Sequence, residues 1–260
     1  VTMPFLYETR QHKRSSRESL DCALALQELV HLGVDNIITF DAHDPRVQNA
    51  IPLSGFETVR PTYQFVKGLL RTVKDLKIDS DHMMAISPDE GATERAVYLA
   101  NVLNLDMGMF YKRRDYTRIV NGRNPIVAHE FLGSSVEGKD VIILDDMISS
   151  GDSILDVARQ LKQRNAKRIY AAATFGLFTN GMEKFDKAYE EGIINGILTT
   201  NLIYQTPELL SRPYYINCDM SKYIALMIDT LNHDGSISSI LNPSARIQHV
   251  VEKYRRGEEI

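Results

Sequence analysis

Cysteine is nearly absent: Cys22 and Cys218 are the two in 260 residues. They lie far apart and make no metal-ligand spacing, so neither a disulfide framework nor a thiolate metal site organises the chain. A reducing, cytoplasmic setting is the expectation. No apolar run approaches the roughly 20 residues that span a bilayer. No signal-peptide pattern is present either, and no membrane partner is expected. A large excess of one charge is also missing. The 30 basic and 34 acidic side chains leave a net charge of −4, which argues against a broad nucleic-acid footprint. Anionic ligands must then be met by local cation clusters, loop N–H groups or a metal. Short repeats and low-complexity tracts are absent, as is the GxxxxGK[ST] phosphate loop with its lysine.

What is present is an ordinary globular composition, 43% hydrophobic and 25% charged, long enough for one large core or two smaller ones. Apolar, β-branched runs predict strands over 3–7, 36–40, 83–87, 107–111, 141–144, 168–174, 196–200 and 214–217. Amphipathic spacing predicts helices over 19–32, 61–76, 90–103, 153–165, 181–191 and 221–232. Such alternation implies right-handed βαβ units around mainly parallel sheets, with ligands at the C-terminal strand ends. The run KIDSDH (77–82) reads as the crossover between two α/β halves. The expected division is an N-terminal-type unit of residues 1–76 plus about 236–260, and a second unit of residues 77–235.

The most informative run is VIILDDMISSGDS, Val141 to Ser153. Its four leading apolar residues read as a strand covered on both faces. Asp145 and Asp146 follow at the strand end, then Ser149, Ser150, Gly151, Asp152 and Ser153, then an amphipathic helix. A helix N-terminus offers unpaired N–H groups and positive dipole to a phosphate, and the carboxylates can accept from vicinal hydroxyls. The pattern therefore suits a phosphorylated sugar. A capped strand-to-helix turn without a ligand is the alternative.

Further groups fall at other strand ends. In FDAHDPRVQN, His43 stands between Asp41 and Asp44. Flanking carboxylates could hold one tautomer and leave the ring for a divalent ion or a phosphate; a turn cap is the alternative. SPDEG places Asp89 where it could face a ribose or a Mg²⁺-bound water. YKRRDYTR carries four cations in eight residues, and a long polar stretch follows them. That suits a loop, from Lys112 to about Ala128, which closes over substrate. A second basic cluster, TRQHKRSSR, offers Arg10 and Gln11 to nucleotide phosphates.

Taken in order, RQHKR, FDAHDPRVQN, SPDEG, YKRR, LDDMISSGDS and ATFGLF resemble ribose-phosphate diphosphokinase, the phosphoribosyl-pyrophosphate (PRPP) synthetase family. The C-terminal SKYIALMIDTLNHDGSISSIL fits the same layout. The resemblance implies two phosphoribosyltransferase-like, doubly wound domains, the first incomplete at its N-terminus. It implies transfer of pyrophosphate from Mg·ATP to the anomeric hydroxyl of ribose 5-phosphate, giving PRPP and AMP. It also implies a Mg²⁺ cofactor and a homo-oligomer, a hexamer built from dimers. Position by position, Arg10, Gln11 and His43 match ATP contacts, and His43 and Asp89 match groups near the metal. Lys112 and Arg114 match loop cations that stabilise the transition state. Asp145 and Asp146 match the acids on the ribose hydroxyls, and Ser149, Ser150, Gly151, Asp152 and Ser153 the loop around the 5-phosphate. Departures are Ser149 for Asp, Ser150 and Ser153 for Thr, Asp152 for Gly, and Phe175 for His. Asp152 brings negative charge towards a phosphate loop. These departures keep two other readings open: a non-catalytic PRPP-synthetase-associated subunit, and a type I phosphoribosyltransferase that consumes PRPP.

Overall fold

A computed structural model describes residues 1–14, 17–114, 117 and 126–260; side chains within 112–114 and 126–129 are outside that description. The elements are β1 (Thr2–Met3), α1 (Asp21–His31), β2 (Asn36–Phe40), β3 (Gly55–Val59), α2 (Thr62–Thr72), β4 (Met83–Ser87), α3 (Thr93–Leu103), β5 (Asp106–Arg114) and β6 (Ile126–Leu132). They continue as β7 (Asp140–Ile148), α4 (Asp152–Gln163), β8 (Arg168–Gly176), α5 (Glu183–Glu190), β9 (Gly196–Thr200), α6 (Pro207–Leu210), β10 (Tyr215–Cys218), α7 (Ser221–Asn232), α8 (Ser238–Leu241) and α9 (Ser244–Arg255). A 3-10 turn, Pro45–Ala50, follows β2.

Two sheets result. One has the order β1-β2-β3, all parallel; the other runs β10-β9-β8-β7-β4-β5-β6 and is parallel except for β6. The architecture is thus α/β with mainly parallel sheets, as the alternating pattern implies. The seven-stranded sheet is doubly wound because its central strands are apolar on both faces. Met84, Ile86, Val141, Ile143 and Ala171 point to the side covered by α4 and α5. Their neighbours Met83, Ala85, Ile142, Leu144 and Ala172 point to the side covered by α2, α3 and α9. Strand geometry sends successive side chains to opposite faces, so an unbroken apolar run feeds two cores. No helix among the described residues is long and apolar enough to cross a membrane.

The packing divides the chain differently from the expected boundaries. Helix α2 lays Phe65, Val66, Leu69 and Leu70 on the seven-stranded sheet, and α9 adds Ile247, Val250 and Val251 to that same core. The three-stranded sheet is covered by α1 on one face, through Cys22 and Leu26. Its other face meets α7 and α8, through Tyr223, Met227 and Ile240. An amphipathic period shows that a helix has an apolar face, not which sheet receives it. Phe175 lies in the seam between the sheets, with its ring 4.6 Å from Phe5 in an edge contact. The predicted strand over 3–7 is reduced to its first residue, since β1 ends at Met3. Strands β3 and β6 went unread.

Candidate functional site

Strand order places the site. From β4 the chain steps to β5 on one side, and later returns as β7 on the other side of β4. The C-terminal ends of β4 and β7 flank this reversal, where a crevice is expected. A cleft of about 360 Å³ opens there.

Strand β7 runs on through both acids to Ile148, because Met147 and Ile148 pair with Phe175 and Gly176 of β8. Adjacent strand residues face opposite ways, and the two carboxylates accordingly do different things. Asp146 is buried, and its Oδ2 accepts from His43 Nδ1 at 2.8 Å. Asp145 accepts the Asp146 backbone N–H at 2.9 Å and lines the cleft. Burial pushes the Asp145 carboxyl well above its ordinary value, and the charge of Asp146 adds to the effect. Burial acts in the same direction on Asp146, but there the His43 hydrogen bond and the positive field of Arg95 outweigh it. Asp146 is therefore held below the ordinary value.

Beyond β7 the chain turns through Ser149 to Gly151 into α4. Backbone bonds from Leu177 to Ile148 (2.9 Å) and from Thr179 to Ser149 (3.1 Å) hold the turn in place. Gly151 stands at φ +83°, and a Cβ there would fall 2.1 Å from Phe185 Cζ. Positive φ and close approach each call for glycine. Ser149, Ser150, Gly151 and Ser153 all line the cleft, while Asp152 does not. Its carboxylate is turned outward, accepting from Lys184 Nζ at 2.5 Å and Ser150 Oγ at 2.9 Å. The Lys184 and Ser150 bonds lower its carboxyl. The one loop change that adds negative charge thus leaves the concavity clear.

The opposite wall comes from the loop after β2. His43 is not held by the carboxylates beside it in sequence; its ring partner is Asp146, 103 residues on. Asp41, at φ +41° and 5% exposed, accepts from Arg95 Nε at 2.8 Å and Thr174 Oγ1 at 2.6 Å. Asp44 accepts a forked contact from Arg46, at 2.9 and 2.6 Å, and lies 2.9 Å from His12 Nδ1. The Arg46 hydrogen bond holds Asp44 far below its ordinary value. Burial lowers the His12 imidazole, against the opposing pull of Asp44. The His12 ring stands 5.3 Å from that of His43.

A second cleft of about 470 Å³ continues from the first, sharing His43, Gly91 and Arg95 and adding Lys13, Arg46 and Arg60. Arg10 lines the first cleft. Gln11 instead donates to the Ser19 carbonyl (3.4 Å) and lines neither. Asp89 lies just past β4, accepts the Gly91 N–H at 3.0 Å, and faces the first cleft. Lys112 and Arg114 end β5, where Lys112 pairs with His129 and Arg114 with Ile126 of β6. Their side chains, and the centre of the loop expected to close over substrate, lie outside the described residues.

Arg95 is the functional residue that sequence reasoning missed. It lies in the first turn of α3, is 10% exposed, and also donates to the Ala42 carbonyl at 3.2 Å. Burial disfavours its charge, but Asp41, Asp146 and Asp145 outweigh that and raise its guanidinium. Within SPDEGATERA it reads as one more polar residue of an amphipathic helix. Only the fold brings three carboxylates to it. His12, inside RQHKR, was hidden for the same reason. Among the described residues, no group of three or more His, Cys, Asp or Glu could by itself hold a metal ion.

Comparison with known proteins shows what the chain is similar to. The family model described as phosphoribosyl synthetase-associated domain matches residues 116–242. The ribose-phosphate pyrophosphokinase of Vibrio cholerae serotype O1 is 28% identical over 246 residues, covering 93% of this chain and 73% of the relative. That of Mycoplasma pneumoniae is 27% identical over 235 residues, covering 90% and 67%. The crystal structure of phosphoribosylpyrophosphate synthetase from Mycobacterium smegmatis superposes with a TM-score of 0.73 at 22% identity. It covers 90% of this chain and 71% of that one, and shows the shared fold. By its ordered motifs, its two-sheet fold and relatives matched along most of the sequence, the chain is similar to the ribose-phosphate pyrophosphokinases.

Proposed function

We propose that the cleft binds ribose 5-phosphate and ATP and transfers pyrophosphate from ATP to the sugar. The observation that carries this reading is the convergence of two unlike walls on one cleft. Asp145 and the Ser149–Gly151 turn at the start of α4 form one wall; Arg10 and His43 stand on the other. The 5-phosphate sits on the N–H groups of about Ser150 to Ser153, where a preformed turn and the helix dipole favour a dianion. Asp145 accepts from the sugar hydroxyls. Asp146 acts differently: with Oδ2 engaged by Nδ1, it orients the His43 ring and leaves Nε2 as a lone pair for a divalent ion or, when the ring is protonated, as a donor to the ATP phosphates. Arg10 meets the same phosphates from the first cleft, and Lys13 meets them from the second.

The residues present fit Mg²⁺ held largely by water and substrate oxygens, the usual arrangement for this ion. Asp89 and His43 would contribute to it, and the like charges crowding Asp145 favour a cation nearby. When bound, Mg²⁺ offsets charge on the transferred phosphates. The anomeric oxygen forms a bond to the β-phosphorus of ATP as the bond from that phosphorus to the α,β-bridging oxygen breaks. The bridging oxygen leaves with AMP. Lys112 and Arg114, on the strand beside β4, would meet the charge that develops in this step. The test is AMP release from ATP and Mg²⁺, with and without ribose 5-phosphate. Sugar-dependent AMP that disappears in Asp145→Asn is expected; ADP as the adenylate product would contradict the reading.

A further inference from the structure

A third cleft, of about 560 Å³, lies at the outer edge of the seven-stranded sheet. It is bounded by α2, the edge strand β10 and the start of α7, and it shares no lining residue with either cleft of the site. Its charge is one-sided. Lys67 and Arg71 stand one turn apart on α2, Lys222 lies on α7, and Arg246 reaches in from α9. Asp219 is the one carboxylate of the lining, and it is already engaged by the Ser221 N–H (2.9 Å) and Asn201 Nδ2 (2.7 Å). Among the described residues no carboxylate pairs with Lys67, Lys222 or Arg246. Like charges one helical turn apart repel. Burial, then Arg71 and Lys222, lower the Lys67 ammonium from its ordinary value.

The same cleft has a flat, polarisable wall. The Arg246 guanidinium carbon lies 5.3 Å from the Tyr63 ring centroid and 5.6 Å from that of Tyr223, and its Nη2 donates to the Ile240 carbonyl at 2.9 Å. That bond holds a planar cation beside two aromatic rings, and all three side chains line the cleft, where a planar ligand group finds partners to stack on. Gly68 lets α2 approach β10, since a Cβ there would stand 3.0 Å from Cys218 Sγ.

We propose that this cleft is a second ligand site, taking a small molecule that carries at least two phosphate charges and a planar ring. The phosphates meet Lys67, Lys222 and Arg71; among the described residues no carboxylate pairs with the two lysines, while Arg71 Nε donates to the Ile260 carbonyl oxygen at 2.7 Å. The ring lies against the wall made by Tyr63, Arg246 and Tyr223.

The experiment is an amide-resolved titration of the full chain with two probes: inorganic pyrophosphate, and UDP, which adds a flat ring to the same two phosphates. The signals of Gly68 and Asn217 should move saturably with both, independently of those of Gly151 in the catalytic cleft. UDP should bind about threefold tighter or better, from stacking. Lys67→Gln/Lys222→Gln should weaken both probes about tenfold or more, since charge-assisted contacts to phosphate are lost. Should that double variant melt early, Leu226→Glu, at an exposed position on the rim, should repel both probes in a folded protein. No saturable change at Gly68 and Asn217, or undiminished binding in the folded variants, would overturn the site. Equal affinity for the two probes would overturn the stacking wall. Because these signals lie outside the catalytic cleft, failure here leaves the proposed transfer reaction standing, and the reverse also holds.

Discussion

The two walls of the proposed catalytic cleft are built by opposite means. The wall of β7 and α4 is held by neighbours: the turn hangs on residues 177–179, Ser150 and Asp152 bond each other, and Gly151 fits against Phe185. It offers hydroxyls and N–H groups and needs little from the other sheet. In the loop after β2, two of the three ionisable groups find their partners beyond it. Asp41 is held by Arg95 and Thr174, and His43 by Asp146, all from the larger unit; Asp44 relies on nearby Arg46 and His12. The first wall is preformed, as the proposed anion cradle requires. The second wall is also a joint between sheets, so a change there should disturb stability and chemistry together.

Breaking the joint should have the largest effect. Arg95→Met leaves Asp41 buried without its cation, and removal of one partner of a buried pair costs about 3–5 kcal/mol. Urea unfolding should show a loss of that order, and Arg95→Met/Asp41→Asn should recover much of it. An additive double variant would show that the pair does not couple the sheets. Next is the cradle. Gly151→Ala adds a methyl at positive φ against the Phe185 ring, with an expected loss of about 1–3 kcal/mol from overpacking and strain. An unchanged melting temperature would mean that the turn is looser than described.

A smaller and pH-dependent effect is expected of His43→Gln. The Asp146 carboxyl is lower in the folded chain than its unfolded value of 3.8. It therefore contributes stability above that value, and the contribution is lost as pH falls through the folded value. Part of it is the His43 hydrogen bond. The deficit of the variant should be present near about pH 6 and shrink on acidification below the Asp146 value; a deficit that grows there would contradict the pairing. Smallest of all is Asp152→Asn. Its carboxylate is exposed and outside the cleft, so neither the melting temperature nor affinity for ribose 5-phosphate should change measurably.

The contrast between the walls also explains what could be read from sequence. VIILDD followed by a small-residue turn and an amphipathic helix is a local pattern, since strand burial, turn freedom and helix dipole all act within a dozen or so residues. The whole β7–α4 wall was legible for that reason, as were the alternating elements of the larger sheet. His43 was legible as a site residue, but its partner was not: flanking Asp41 and Asp44 were the natural candidates, and Asp146 lies 103 residues on. Arg95 carried no mark at all, because a lone arginine in an amphipathic helix usually faces solvent. Helices α2 and α9 were assigned to the wrong sheet because an apolar stripe does not name its receiver. Strand β6 was hidden in a stretch whose polar start reads as loop.

The central claim is that the cradle of β7 and α4 takes the 5-phosphate while Asp145 takes the sugar. Titration of the amide-labelled chain with ribose 5-phosphate tests it most directly. The account predicts that the amide signals of Ser150, Gly151, Asp152 and Ser153 shift together and saturate. In Asp145→Asn the same signals should still shift, but at higher ribose 5-phosphate concentration. Saturable shifts elsewhere with these four unmoved, or an Asp145→Asn affinity equal to that of the parent, would contradict it.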